Sequence, residues 1–314
     1  MNVYHGIDNF QFEAKNILTI GTFDGVHLGH KYLLNRVIVL SKKLDGKPAV
    51  VTFEPHPQMV VNSNREIPIK IITTLDEKLE MLKAAGIQSV YVIEFNNQFA
   101  KFTSVEFIEN YLKTKIGLMG IVVGFDHNFG NARKGDFETL NAAFSDEAIE
   151  VEKLDRYAFN DEIISSSTIR RLIANGEIVR ANELLGYPYS IAGPIVFGDK
   201  RGRNLGFPTA NLDIAKLNKI MPEMGVYAVR ASIGNESYFG MANVGIRPTF
   251  AQESLSLEVN IFDFSENIYG KMVRVHFLKK IRNEVKFSNP QALIKQLQKD
   301  KTETTFFLKS TYKT

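Results

Sequence analysis

From the N-terminus to Val123, short apolar runs rich in β-branched residues alternate with segments whose apolar positions recur every three or four residues. Asn16–Ile20, Ala49–Phe53, Ser89–Glu94 and Ile121–Val123 read as strands, and Lys31–Leu44, Leu75–Ala85 and Ser104–Leu112 as the helices between them. Strands that alternate with helices predict βαβ units and a parallel sheet. A helix is expected from Ser166, where serines can cap the first turn, and another over Ile178–Leu185, ended by Gly186, Tyr187 and Pro188. Beyond that break the pattern changes. Tyr189–Phe197, Val226–Ala231, Tyr238–Val244, Leu255–Phe262 and Met272–Leu278 are strand-like runs bounded by glycine, proline and asparagine, followed by one helix over Pro290–Asp300. The fold class expected is α/β plus β, with an α/β domain over residues 1–185 and a small β-barrel domain with a C-terminal helix over residues 186–314.

A chain of 314 residues is long enough for two cores. Its 38 basic and 35 acidic residues leave a net charge of +3, spread without any block of like charges. That balance fits an anionic small molecule better than a nucleic acid. The absence of cysteine removes disulfides, thiolate metal sites and cysteine nucleophiles together. No uncharged run reaches the ~18 residues that a membrane span needs. The expectation is a cytoplasmic protein with no nucleic-acid or membrane partner; self-association is left open.

Two segments carry chemistry. The first, GTFDGVHLGH at 21–30, places a glycine-bearing turn between a strand and a helix start. Unpaired backbone N–H groups and the positive end of the helix dipole make such a place welcoming to phosphate. His27 and His30, three apart, would face one bound group. A zinc site would need three or four convergent ligands, and there is neither an HExxH helix nor a thiol to supply them. The second segment, GPIVFGDKRGRNLGFPTANL at 193–212, lets the backbone approach a polyphosphate at Gly198, Gly202 and Gly206, with Lys200, Arg201 and Arg203 adding charge. It is not a Walker sequence. Thr209 and Asn211, two apart on an extended stretch, share a side and suit joint coordination of Mg²⁺ and phosphate oxygens. Glu258, flanked by Leu257 and Val259, is expected on the opposite face of its strand from both.

GTFDGVHLGH resembles the signature of the nucleotidylyltransferase superfamily. With TFEPHP at 52–57, FNNQFAKFTSVEFI at 95–108, GFDHNFG at 124–130 and SSSTIRRLI at 165–173, it resembles the adenylyltransferase half of bacterial FAD synthetases. GFPTAN, GVYAV at 225–229, ANVGIRPTF at 242–250, LEVNIFDF at 257–264, IYGKMVRVHF at 268–277 and LKKIRNEVKF at 278–287 resemble the flavokinase family. Together the halves resemble bacterial bifunctional riboflavin kinase/FMN adenylyltransferases over nearly the whole chain.

The resemblance implies a Rossmann-like nucleotidylyltransferase domain followed by a flavokinase-type barrel, with riboflavin, FMN and ATP as substrates and Mg²⁺ serving both steps. It implies His27, His30 and Arg170 as catalytic groups of adenylyl transfer, and Gly21, Phe23, Asp24, Gly29, Asp126, Ser166 and Ser167 at the nucleotide. In the barrel it implies Glu258 as catalytic base, Gly198, Lys200, Gly202 and Arg203 at the nucleotide, Thr209 and Asn211 at the metal, and Arg282 at the flavin. Many relatives carry Phe at the position of His127 and His at that of Asn260. Because a helix N-terminus disfavours imidazolium, His27 and His30 are expected to act as neutral N–H donors. The alternatives weighed are an aminoacyl-tRNA synthetase, which would want a KMSKS-like loop, a riboflavin kinase without the second activity, and a flavin-binding regulator without turnover.

Overall fold

The computed structural model describes all residues except 63–67, 126–128, 131–134, 146, 160–161, 199–201, 203–204, 249–252 and 313–314. The chain divides into two compact units, Met1–Ser166 and Ser167–Thr314.

The first unit is built on a six-stranded sheet of β1 (Asn2–His5), β2 (Asn16–Ile20), β3 (Lys47–Glu54), β4 (Ser89–Glu94), β5 (Leu118–Val123) and β6 (Glu150–Lys153). All pairings are parallel, in the order β1-β4-β3-β2-β5-β6. The helices are α1 (Leu28–Lys43), the short α2 (Pro57–Val61), α3 (Leu75–Ala84), α4 (Ser104–Phe107) and α5 (Phe137–Ala143). All five residues of β2 are buried. One face packs Leu18 and Ile20 with Val51, Ile93 and Ile121, while Ile17 on the other face meets Val37, Leu40 and Val122. Burial on both faces is what βαβ crossovers impose, and it explains the unbroken apolar runs of the central strands.

The chain runs outward from β2 to β3 and β4, then returns to β5 on the opposite side of β2. Strand order therefore reverses between β2 and β5. In open α/β sheets ligands settle beyond the strand ends at such a switch. The loop leaving β2 is the motif at 21–30.

The second unit begins with α6 (Ser166–Ala174, its first residue at the unit boundary) and α7 (Ile178–Leu185). A closed antiparallel barrel follows: β9 (Ser190–Val196), β10 (Ala210–Leu212), β11 (Gly225–Ile233), β12 (Glu236–Pro248), β13 (Glu253–Ile261) and β14 (Met272–Asn283), in the order β10-β13-β12-β11-β14-β9. Between the units' main elements lies the short hairpin β7 (Ala158–Phe159) and β8 (Glu162–Ile163). Asn182 fastens α7 to the barrel, since its amide donates to the Phe277 carbonyl at 2.9 Å and its oxygen accepts from Tyr189 N–H at 2.7 Å. The last helix, α8 (Pro290–Thr311), extends well past the expected end at Asp300.

Asp300 is the reason α8 is held to β14. Its side chain is 1% exposed, and it accepts from Nε of Arg282 at 2.9 Å and Nη2 at 2.8 Å, with Gln296 adding a donor at 2.8 Å. Removing one partner of a buried pair strands the other's charge. Asp300→Ala is therefore expected to lower the unfolding free energy by about 3 kcal/mol, read from urea denaturation of the full chain; a loss within the scatter of surface substitutions would refute the clamp.

Candidate active sites

The turn between β2 and α1 is strained and tightly anchored. Phe23, Gly25 and Val26 all have positive φ, at 49°, 84° and 33°. For non-glycine residues this conformation costs about 1–3 kcal/mol each. Phe23 and Val26 offset it by burial, since both side chains are enclosed with Leu34, Val50, Leu82 and Val90, and burying a large apolar group contributes about 1.5–3 kcal/mol.

Asp24 supplies the polar half of the anchor. Buried in the turn, its carboxylate accepts from the N–H groups of Ile72 at 2.9 Å and Thr73 at 3.0 Å, while Thr73 Oγ1 accepts from Gly25 N–H at 2.9 Å. Within the first unit, the Ser166 hydroxyl donates to the Asp24 carbonyl at 2.9 Å. Sequence reasoning places Asp24 at the nucleotide; the structure turns its carboxylate toward the chain, where it fixes the turn's shape.

His27 is the N-cap of α1. Its Nδ1 accepts from the backbone N–H of His30 at 3.3 Å, so the proton of the neutral ring is assigned to Nε2. The two imidazoles stack, with centroids 3.6 Å apart and planes 15° from parallel. Phe23 lies 5.1 Å from His30 on its other side. Burial pushes the His30 imidazole well below its ordinary range, and the neighbouring His27 and Lys78 push the same way. The His30 ring in this state offers an N–H donor without a titrating charge at neutral pH. Gly29 keeps the stack close, because a Cβ there would lie 3.3 Å from the His27 ring. Gly21 has similar reason, its Cβ being 3.1 Å from Phe23.

Ser167 is exposed and Arg170 partly buried on the first turns of α6. Asp126 and His127 lie outside the described residues. Sequence reasoning missed an aromatic group at the carboxyl end of the sheet, where Phe53 and Phe99 each pack against Phe95 at 5.7 and 5.6 Å, and Phe99 meets Phe102 at 5.6 Å. The signal was present in FNNQFAKF, but aromatic spacing alone does not separate core from ligand surface. Phe125, half-exposed after β5, carries the Arg156 guanidinium 4.5 Å from its ring centre.

In the barrel, Glu258 of β13 sits between two asparagines. It pairs across the strands with Asn211 of β10 and Asn243 of β12. Leu257 and Val259 are buried while Glu258 is partly exposed, as strand alternation requires. Thr209 Oγ1 donates to Glu258 Oε2 at 3.3 Å. A hydroxyl, an amide and a carboxylate thus meet on one outer patch.

The glycine loop lies directly on this patch. A Cβ at Gly198 would fall 2.3 Å from the Asn211 amide nitrogen, and one at Gly202 would fall 2.3 Å from the Phe207 carbonyl and 3.3 Å from Thr209 Oγ1. At Gly202 the clash is with backbone, and at Gly198 any side chain would displace the Asn211 amide. Lys200, Arg201 and Arg203 lie outside the described residues. Asn260 donates to the Pro208 carbonyl at 2.7 Å, fixing the PTAN stretch beside a cleft of about 310 Å³ lined by Phe207, Phe262, Asp263 and Lys301. Arg282, expected at the flavin, gives Nε and Nη2 to Asp300 and one N–H of Nη1 to the Asn283 carbonyl, so its described contacts hold α8.

The fold and the two clusters define a class: a parallel α/β scaffold with an imidazole-lined turn at its switch point, joined to a six-stranded barrel carrying a hydroxyl–amide–carboxylate patch under a glycine loop. The FAD synthetase family matches residues 10–168 and the riboflavin kinase family residues 185–308. The bifunctional riboflavin kinase/FMN adenylyltransferase of Listeria monocytogenes is 38% identical over 94% of this chain and 93% of its own length. The protein of that name from Escherichia coli K12 is 35% identical over 98% of each. A solved structure of a protein called macrolide-efflux protein, from Streptococcus pneumoniae, has a TM-score of 0.88 at 33% identity, covering 97% of this chain and 99% of that one. Among the described residues no helix is long and apolar enough to cross a membrane. The chain belongs to the bifunctional riboflavin kinase/FMN adenylyltransferase family.

Asp24→Ala would leave the Ile72 and Thr73 N–H groups buried without their acceptor, at about 1–3 kcal/mol per group. The expected result is a lower melting temperature together with faster amide exchange at Ile72 and Thr73 than in the native chain, measured by NMR; unchanged exchange at both amides would show that the turn is held by other contacts.

Proposed function

We propose that this chain makes FAD in two steps: riboflavin and ATP give FMN and ADP at the barrel, and FMN and ATP give FAD and pyrophosphate at the α/β unit. The observation that carries the reading is the chemical contrast between the two clusters, one built on stacked imidazoles and the other on a carboxylate.

Adenylyl transfer has a nucleophile that is already an anion, the FMN phosphate. Its oxygen bonds to the α-phosphorus of ATP as the bond to pyrophosphate breaks, and no strong base is required. The work of the protein is to orient the phosphates and to stabilise charge as it moves. His27 and His30 donate N–H groups, Gly21 and Gly29 permit close approach, and Phe23 and Asp24 hold the turn. The family resemblance assigns Ser166, Ser167 and Arg170 to the phosphates and Asp126 to the nucleotide or flavin edge. The flavin kinase step begins from a neutral hydroxyl at the end of the ribityl chain. Glu258 takes that proton as the hydroxyl oxygen bonds to the γ-phosphorus and ADP leaves. Gly198, Lys200, Gly202 and Arg203 cradle the polyphosphate, and Arg282 contributes to the flavin side through its remaining N–H groups.

Mg²⁺ is proposed as the ion that accompanies ATP, neutralising phosphate charge at both sites. Among the described residues no group of three or more His, Asp or Glu could hold a metal by itself. A Thr209 hydroxyl and an Asn211 amide oxygen beside Glu258 nevertheless suit a hard cation that keeps most of its ligands from phosphate and water. The functional division is proposed at 185/186, whereas the compact units divide at 166/167, with α7 tied to β14 through Asn182. The cysteine-free composition supports a reducing cytoplasm as the compartment.

Incubating the full chain with riboflavin and Mg-ATP, then separating riboflavin, FMN and FAD by chromatography, tests the reading. His30→Ala is expected to stop FAD formation while FMN accumulates. Glu258→Ala is expected to stop FMN formation while added FMN is still converted to FAD. Loss of both activities in either folded variant would overturn the two-site division. Adenylylation by the native chain should persist below about pH 6.5, the ordinary imidazole value, and fail only at lower pH, because protonation of His30 is displaced downward.

A further inference from the structure

Lys78 stands out among the groups that the proposed mechanism does not use. It lies on α3 and is 4% exposed, a burial that lysine rarely reaches unless paired. Among the described residues no carboxylate lies within 4 Å of its Nζ. The ammonium instead donates to Thr52 Oγ1 at 3.2 Å and to the Phe53 carbonyl at 3.4 Å, both at the carboxyl end of β3. Thr52 Oγ1 in turn donates to the Thr22 carbonyl at 3.2 Å, inside the turn that carries the histidines. A chain of two hydrogen bonds therefore runs from Lys78 to the backbone of that turn. An apolar residue of the same length would fill the space at lower desolvation cost, so the fold alone gives no reason for a charge here.

We propose that Lys78 is a positioning residue of the adenylyl-transfer site: through Thr52 it holds the phosphate-facing turn, to which it brings a fixed positive charge. The proposal rests on the adenylyl-transfer reading of that turn. His30 is faced by His27 from the start of α1, by Phe23 from the turn and by the Lys78 charge from α3. Lys78 is itself influenced by Glu54 at the end of β3 and by Asp24 in the turn. Burial lowers Lys78's own affinity for a proton, and those two carboxylates oppose that effect. The cation thus adds positive potential where phosphate charge develops, and it favours the neutral form of His30. A fixed charge already in place needs no reorganisation during the reaction.

Two substitutions separate the hydrogen bond from the charge. Lys78→Met removes both, and Lys78→Gln keeps a donor for Thr52 while removing the charge. Each relieves a buried cation of its desolvation, which favours folding. FMN adenylylation by the full-length variants would be followed from about pH 5 to about pH 9, with riboflavin phosphorylation as control. His30 would be titrated by NMR on histidine-labelled protein, its signal assigned by its absence in His30→Ala.

The expected result is a fall of about tenfold to a hundredfold in the adenylylation rate for Lys78→Met and a smaller fall for Lys78→Gln. In both, the His30 titration and the acid limb of the rate profile move to higher pH, while phosphorylation of riboflavin is unchanged. Loss of rate with an unmoved His30 titration would overturn the proposal, leaving Lys78 a structural residue. So would native adenylylation by both variants. A native chain that adenylylates nothing would sink the functional reading instead, and the NMR titration would still decide whether Lys78 sets the charge at His30.

Discussion

A turn in which Phe23, Gly25 and Val26 all adopt left-handed backbone geometry can exist only under restraint. The restraint is the buried carboxylate of Asp24 gripping two backbone N–H groups of residues 72 and 73, assisted by two apolar side chains driven into the core. Everything at the first site follows from it. The turn aims α1 so that its first residues lie at the switch point of the sheet. The N-cap imidazole then stacks on the second histidine, and that closeness, with burial, disfavours the charged form of His30.

The two clusters solve opposite problems with matching economy. On the two-step reading proposed above, the nucleophile at the α/β turn is charged, and the turn supplies dipoles, hydrogen-bond donors and backbone approach. At the barrel the nucleophile is neutral, and a carboxylate appears beside a hydroxyl and an amide on adjacent strands. Strand register does the arranging there. Pairing of Asn211 with Glu258 brings two side chains far apart in sequence onto one outer patch, and the inward-facing leucine and valine on either side of Glu258 lock its orientation.

Much of this architecture was legible in the residues. The central strands β2 to β5 announce themselves as apolar runs because both faces are covered. The outer strands β1 and β6 do not: each is four residues with exposed ends and only half-buried centres, and Glu150-Val-Glu-Lys153 has the composition of a loop. The helix after His30 begins at Leu28, earlier than its periodicity suggests, because an imidazole serves as its cap in place of the usual serine or aspartate. The segment 104–112 continues α4 as a π-helical stretch over Ile108–Lys113, a shift of hydrogen-bond register that apolar spacing does not encode. The motifs were legible, whereas the tertiary partners of their residues were not. That Asp24 would bind residues 72 and 73, or that Arg282 would bind Asp300, depends on tertiary neighbours lying 48 and 18 positions away.

His27 begins a helix and builds a ligand site with one ring. Its dual employment means that altering it perturbs folding and chemistry together, so the size of any defect there is not a measure of its share in the reaction. The bond that the ring accepts from the amide of residue 30 ties the first turn of α1 to the shape of the binding surface.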